Sequence, residues 1–308
     1  GARSIDTIKP SDAKEWALRM KDKGFIFKNE YDNVLSYQDC DNLGLYVHIP
    51  FCRSICNFCP YCKVRYSKDL CDRYIDALLR EIHAVGGQQS GKKETNSLYF
   101  GGGTPALAAD RLGEIIGAIK EHFVITEGIG VELHPDNVTP DVLRTLKTAG
   151  VTKISIGIQS FQTKFQSVLG RTSVDISAMK QALSEVPFET VSMDFIFALP
   201  NQTFEDLKAD VDAAFQSGAN HVAIYPFIDF TFTPSTVTTM PKKEKRELLD
   251  AITRYCMDQG YTRSSIWTFS SEAATFSLHM EGDLKIFEQG REYYDKLRKV
   301  NDLISGSE

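Results

Sequence analysis

Nowhere in the 308 residues does an apolar run approach the ~20 positions that a membrane-spanning helix needs, so no membrane span is expected. Lys and Arg form no long run, and 35 of them stand against 41 Asp and Glu for a formal net charge of −6. That balance excludes an extended phosphate-binding surface for nucleic acid and a polybasic membrane patch. An internal repeat and a low-complexity tract are both missing, and no firm domain boundary can be drawn from composition. An even, spread-out set of cysteines is missing too. There are seven, four of them between Cys52 and Cys62, while Cys40, Cys71 and Cys256 lie apart. A disulfide framework is therefore excluded, and a metal or redox role in a reducing compartment is expected instead. The start, Gly1-Ala2-Arg3-Ser4, has no methionine and does not read as a signal peptide. We expect a processed end, a longer gene and a soluble, cytoplasmic protein.

What is present is enough hydrophobic content, 42%, for one large domain or two ordinary ones. Short apolar runs alternate with longer amphipathic stretches, the pattern of repeated strand–helix units on a parallel sheet. Six strands are predicted, at 43–51, 97–101, 130–133, 153–158, 190–198 and 221–228. Their Val, Ile, Phe and Tyr content suggests burial on both faces. Between them, Leu70, Tyr74, Leu78, Ile82 and Val85 define one helix face, and Leu112, Ile115, Ile116, Ile119 and Phe123 another. Thr139-Pro140 reads as an N-cap with a first-turn proline, and Gly150 as a left-handed C-terminal residue. Thr203 with Asp206 reads as a capping-box variant, opening a helix that buries Phe204, Leu207, Val211 and Phe215. The expected fold class is α/β, a partial (β/α)6 TIM-like barrel over residues 43–267, with its chemistry at the C-terminal ends of the strands. Residues 1–42 form an N-terminal extension, helical around Ala13–Met20. Residues 268–308 form a C-terminal tail with a polar helix from Phe287 to Ile304.

Directly after the first strand comes His48-Ile49-Pro50-Phe51-Cys52-Arg53-Ser54-Ile55-Cys56-Asn57-Phe58-Cys59-Pro60-Tyr61-Cys62. Thiolates spaced C-x3-C-x2-C can wrap three corners of a cubane iron–sulfur cluster and leave the fourth iron open to a ligand. Zinc is the competing occupant, but it takes two ligand pairs across a longer spacer, and no later pair follows. We assign Cys52, Cys56 and Cys59 as cluster ligands. Cys62 either completes the cluster or stands beside it without coordinating, and the second reading is preferred. Cys40, Cys71 and Cys256 are expected in or beside the core.

Further along stand Phe100-Gly101-Gly102-Gly103-Thr104-Pro105, Glu132, Ser155-Ile156-Gly157-Ile158-Gln159-Ser160-Phe161, Leu169-Gly170-Arg171, and Asp194 followed by Ala198-Leu199-Pro200-Asn201-Gln202-Thr203. Their order and spacing, with the Tyr46-Val47-His48-Ile49-Pro50-Phe51 lead into the cysteines, resemble the radical S-adenosylmethionine superfamily, specifically the oxygen-independent coproporphyrinogen III oxidases and their relatives. The resemblance covers about residues 43 to 267. It implies a [4Fe–4S] cluster whose open iron is chelated by S-adenosylmethionine, and reductive cleavage of that molecule to a 5′-deoxyadenosyl radical. Gly102 and Gly103 resemble positions that meet the methionine amino group, and their lack of side chains lets backbone approach a ligand closely. As a bare run they also suit a tight strand–helix turn.

Glu132, Gln159, Arg171 and Asp194 resemble cofactor contacts. A carboxylate accepts from ribose hydroxyls or an ammonium, Gln both donates and accepts, and Arg presents a planar fork to a carboxylate. Phe58 is expected to position adenine, and Ile228, ending the sixth strand, to offer a backbone carbonyl. His134 is either a proton shuttle or substrate contact, or a hydrogen-bonded loop histidine. Tyr46 either reaches a second S-adenosylmethionine or packs in the barrel. Asp229, Phe230 and Phe232 are candidates for lining a substrate pocket.

Departures from the pattern bear on the reaction. In the oxidases one residue precedes the last of four cysteines, whereas two separate Cys59 from Cys62, and nothing after Trp267 resembles their C-terminal domain. The His-Asn-x-x-Tyr-Trp segment of haem-trafficking relatives is absent, as is the Gly-Leu-Gly stretch associated with a second cofactor molecule. By elimination the expectation is a class C-type carbon methyltransferase using two S-adenosylmethionine molecules. The alternatives are oxidative decarboxylation of coproporphyrinogen III, anaerobic haem ring opening, and non-catalytic haem trafficking. The expected partners are a tetrapyrrole, quinone or other aromatic small molecule and a reducing donor such as flavodoxin or ferredoxin.

Overall fold

The computed structural model describes residues 37–228 and 237–271, which fall in one compact unit, Ser36–Leu278. Six parallel strands lie side by side in chain order: β1 (Gly44–Ile49), β2 (Ser97–Gly102), β3 (Ile129–Leu133), β4 (Lys153–Gln159), β5 (Thr190–Phe197) and β6 (His221–Pro226). Two short antiparallel strands that the sequence reading did not foresee, β7 (Thr262–Arg263) and β8 (Thr268–Ser270), continue the sheet in the order β6-β8-β7. Among the described residues the order is open at both ends, so the sheet is a partial barrel. Helices α1 (Lys68–Gly86), α2 (Ala109–His122), α3 (Pro140–Thr148), α4 (Thr163–Val168), α5 (Ile176–Glu185) and α6 (Phe204–Gln216) connect successive strands, and α7 (Lys242–Asp258) follows β6. The expected α/β partial barrel is present.

Each strand divides its residues between two environments, because successive side chains point to opposite faces. Leu98, Phe100, Val131, Ile156, Phe195 and Ile224 turn outward into the helical layer and are at most 1% exposed. Burial of each such side chain contributes roughly 1.5–3 kcal/mol relative to exposure. The residues between them are polar or small: Tyr99, Gly101, Glu132, Ser155, Gly157, Ser192, Asp194. Burial on both faces holds for β5, where only Asp194 is partly exposed, but the inner face is lined by polar and small residues and encloses a polar lumen. Register carries the pattern across the sheet, with Glu132 opposite Ser155, Ser155 opposite Ser192, and Ser192 opposite His221.

The helix ends follow from local chemistry. The Thr139 hydroxyl accepts from the Val142 amide, Pro140 fills the first turn, and Gly150 follows with φ +95°. The Thr203–Asp206 capping box is formed in both directions, and the helix it opens buries Leu207 and Val211 while Phe204 and Phe215 pack part-buried against the core. Three expectations are corrected. Leu70 is 39% exposed, because the buried line of α1 runs through Cys71 and Ile75 instead. Phe123 is buried as expected but begins a short strand, Phe123–Ile125, paired with Lys93–Thr95. Cys40 is exposed, whereas Cys71 and Cys256 are buried. The helices expected at 13–20 and 287–304, and Asp229, Phe230 and Phe232, lie outside the described residues. Among the described residues no helix is long and apolar enough to cross a membrane.

Candidate active site

The chain leaves β1 at Ile49 and turns at Pro50. Phe51–Cys52 then pairs in parallel with Val64–Arg65, so residues 53–63 form a loop pinned at its base. Val64 N–H donates to Pro50 O at 2.8 Å and Tyr66 N–H to Cys52 O at 2.8 Å. Cys52, Cys56 and Cys59 are all partly buried, and each of the first two faces a donor. Thr104 Oγ1 lies 3.9 Å from Cys52 Sγ, and Arg171 Nε lies 3.5 Å from Cys56 Sγ. Burial raises the Cys52 thiol above its ordinary value, against the lowering effect of the Thr104 hydrogen bond and of Lys63. Three soft donors spaced along one pinned loop, with a cation at hand and no second ligand pair after them, fit an iron–sulfur cluster better than one zinc ion.

Cys62 is exposed, and its carbonyl accepts from His48 Nε2 at 2.9 Å. A carbonyl cannot donate, so Nε2 carries the proton and Nδ1 is the acceptor for the Tyr46 hydroxyl 3.1 Å away. Tyr46, 59% exposed, stacks on Tyr99 with ring centroids 6.4 Å apart. It therefore stands at the open mouth rather than in a packed core.

The glycine run ends β2 against this loop. Gly102 has φ +121°, and a Cβ there would fall 2.6 Å from the His48 ring; at Gly103 it would fall 2.6 Å from Phe51 O. Both amides are already used, Gly102 N–H to Glu132 Oε2 at 3.1 Å and Gly103 N–H to Ile49 O at 2.8 Å. What these residues can still present to a ligand is carbonyl oxygen, an acceptor suited to an ammonium group.

Glu132 stands one residue before the end of β3, and Asp194 in the middle of β5. Glu132 accepts from Tyr99 Oη at 3.2 Å as well as from Gly102, yet burial outweighs both bonds and raises its carboxyl above the usual range. Asp194 accepts from Ser155 Oγ at 2.7 Å and from Ser192 Oγ at 3.3 Å. Burial, with the repulsion of Glu132, pushes its carboxyl up to about 7 despite those donors. His221 Nδ1 lies 2.9 Å from Ser192 Oγ, and burial lowers this histidine to about 4. Neutral His221 donating from Nδ1 to Ser192, and Ser192 donating to Asp194, is a proton arrangement consistent with these distances. Tyr225 also feels burial and both carboxylates, which raise its phenol.

Gln159 and Arg171 converge on one glycine. The register shifts between Gly157 and Gln159, Gln159 takes φ +70°, and its amide folds over Gly157, where a Cβ would sit 2.9 Å from Nε2. Arg171 Nη1 donates to Gly157 O, and its guanidinium lies 5.9 Å from the Phe58 ring centroid. Behind them Asp210, 1% exposed, accepts from Ser160 Oγ at 2.7 Å and the Phe161 amide at 2.9 Å, anchoring the turn after Gln159. Phe58 packs on the satellite core of Phe165, Leu169, Ile196, Leu199 and Phe227.

Of the candidates read from sequence, Arg171 meets Cys56, Arg171 and Gln159 converge on Gly157, Gly102 meets Glu132, and Asp194 feels the charge of Glu132. Ile228 is placed differently. The sixth strand ends at Pro226, and Ile228 lies two residues beyond it, 50% exposed. His134 accepts the Asp136 amide on Nδ1 at 3.2 Å and is held down to about 4 by burial and by Arg171, so it is a neutral, hydrogen-bonded loop histidine. Tyr99, Ser155, Ser192 and His48 belong to the site as well, although none was among the expected contacts. The signal was present, because Lys-Ile-Ser-Ile-Gly-Ile-Gln and Val-Ser-Met-Asp-Phe alternate with period two.

An α/β partial barrel with a three-thiol loop over the C-terminal ends of its strands defines the class. The Radical SAM superfamily model matches residues 46–214, more than half of the chain, and the chain belongs to that superfamily. Its members bind a [4Fe–4S] cluster and S-adenosylmethionine. A protein named heme chaperone HemW from Lactococcus lactis subsp. lactis (strain IL1403) is 34% identical over 188 residues, 59% of this chain and 48% of that protein. Anaerobilin synthase from Escherichia coli O157:H7 is 32% identical over 217 residues, 66% of this chain and 49% of that protein. The solved coproporphyrinogen III oxidase HemN from Escherichia coli superimposes with a TM-score of 0.69 at 24% identity, over 77% of this chain and 57% of that one. The chain spans about half the length of the curated relatives it matches. These relatives give no support to the expected methyl transfer; their names fit the alternatives set beside it.

Proposed function

We propose that this chain binds S-adenosylmethionine over the cysteine loop, cleaves it reductively, and directs the radical at a tetrapyrrole. The observation that carries the first part is the junction of the thiol loop, Arg171, the glycine run and Glu132 at one end of a polar lumen. The tetrapyrrole is supported by what the matched relatives are named for: haem, coproporphyrinogen III and anaerobilin.

When bound to Cys52, Cys56 and Cys59, the cluster supplies the electron that breaks a sulfur–carbon bond of S-adenosylmethionine. The chain's own residues bind and orient. The Gly102 and Gly103 carbonyls accept from the methionine ammonium, since their amides are occupied. Arg171 keeps Nη2 for the methionine carboxylate after Nε and Nη1 are spent on Cys56 and Gly157. Glu132 accepts from the ribose or the ammonium, Asp194 and Gln159 hold the opposite wall, and Phe58 with the Ile228 backbone flanks adenine. Tyr46 and Tyr225, both partly open at the mouth, face the substrate. His134, neutral with Nδ1 occupied, offers an Nε2–H donor rather than a base. A low-potential donor of the flavodoxin or ferredoxin class supplies the electron.

The test is anaerobic reconstitution with dithionite, S-adenosylmethionine and either coproporphyrinogen III or haem, followed by mass spectrometry. 5′-Deoxyadenosine together with carbon dioxide or an opened macrocycle is the expected result. A methylated product with S-adenosylhomocysteine would restore methyl transfer instead. Tight haem binding without 5′-deoxyadenosine would replace the enzyme with a carrier.

A further inference from the structure

The helices run opposite to the strands, so their C-terminal ends gather at the end of the barrel remote from the thiol loop. There His83, in the last turn of α1, meets Glu121 and His122, the last two residues of α2. His83 Nδ1 and His122 Nε2 are 3.2 Å apart, and Glu121 Oε2 stands 3.7 Å from His83 Nδ1. One ligand atom from each of the three lies within 4.8 Å of the others.

From this geometry we propose that His83, Glu121 and His122 form a site for a divalent transition ion of the zinc class, separate from the cluster loop. Metal–nitrogen bonds of ~2.0–2.1 Å drawn to two imidazole nitrogens this far apart enclose an angle of about 100°, near tetrahedral. The carboxylate is too distant for a direct hydrogen bond to His83, yet its separation corresponds to an angle of about 125° around the same ion. Two imidazoles and one carboxylate suit zinc, nickel or cobalt and are poor company for magnesium, which wants an oxygen shell. Three protein ligands leave a fourth position for water.

Two features prepare the site. The His122 ring fills the space over Gly86, where a Cβ would lie 2.2 Å from its Cγ, and Gln89 Nε2 donates to the His122 carbonyl at 3.1 Å. His122 is thus held in place by α1 and the turn after it. Both helices also end here, and the partial negative charge of two helix C-termini favours a cation. A bound ion would tie α1 to α2 at the base of the barrel.

The full chain, with its cluster reconstituted anaerobically so that the thiols are occupied by iron, is dialysed against micromolar zinc, and zinc and iron per chain are measured. About one zinc per chain beyond any held by His83→Gln is expected, as one three-ligand site implies. His83→Gln, at an exposed position, should weaken zinc binding by at least about tenfold at unchanged iron content, because loss of even an outer contact costs that much. Zinc should raise Tm in the parent chain and not in His83→Gln, and excess magnesium should leave bound zinc in place. Glu121→Gln should weaken binding less than His83→Gln. The proposal is overturned by a parent chain that takes up no zinc, by equal uptake in His83→Gln, or by zinc that disappears only when Cys62 is replaced.

Discussion

The two faces of the same six strands obey opposite rules. Toward the helices stand Phe100, Val131, Ile156 and Phe195, fully buried and without a polar atom. Toward the lumen stand Tyr99, Glu132, Ser155 and Asp194, joined by hydrogen bonds and holding two carboxyls above their usual range. One backbone displays both sets because its side chains alternate. Stability is thereby concentrated on one face and chemistry on the other, a single residue apart.

Substitutions can break or sharpen that contrast. The largest effect is expected at the loop: Cys56→Ala should lose the cluster altogether, read as iron content and visible absorbance, and a variant that kept full iron would show the ligands to be misassigned. Next comes the apolar face, where Phe100→Ala should cost about 3–5 kcal/mol in denaturant unfolding, whereas Tyr99→Phe beside it should cost only about 1 kcal/mol and lower 5′-deoxyadenosine yield instead. Equal stability losses at the two positions would erase the distinction.

Asp194 gives a smaller, pH-dependent effect. In the fold it keeps its proton up to about pH 7, while its ordinary value is 3.8, so between these the folded state binds more protons than the unfolded one. Stability should then fall as pH rises from 4 to 7. Asp194→Asn should remove most of that decline, on the order of a few kcal/mol. An unchanged pH profile would count against the raised carboxyl. The smallest effect is at Cys62, whose thiol is exposed: Cys62→Ser should leave iron content unchanged, and loss of iron would make it a ligand.

Much of this was legible in the residue order. The six strands, the caps at Thr139 and Thr203, Gly150 and the thiol spacing are local features, and each followed from a few neighbouring residues obeying steric and hydrogen-bonding rules. Composition was a poorer guide to the strands, because apolar content pointed to burial but not to the chemistry of each face, whereas the period-two placement of Ser155, Gly157, Ser192 and Asp194 marked the inner one as polar.

By itself, then, the sequence determined the α/β alternation, the helix starts at Thr139 and Thr203 and the three thiols on one short loop. Only the tertiary structure decided which groups meet: Arg171 against Cys56 across 115 positions, Glu132 under Gly102, and His83 beside His122. The physical reason is that periodicity and capping act over a turn or two of chain. Desolvation and the pairing of distant donors and acceptors exist only once strands and helices have been brought side by side.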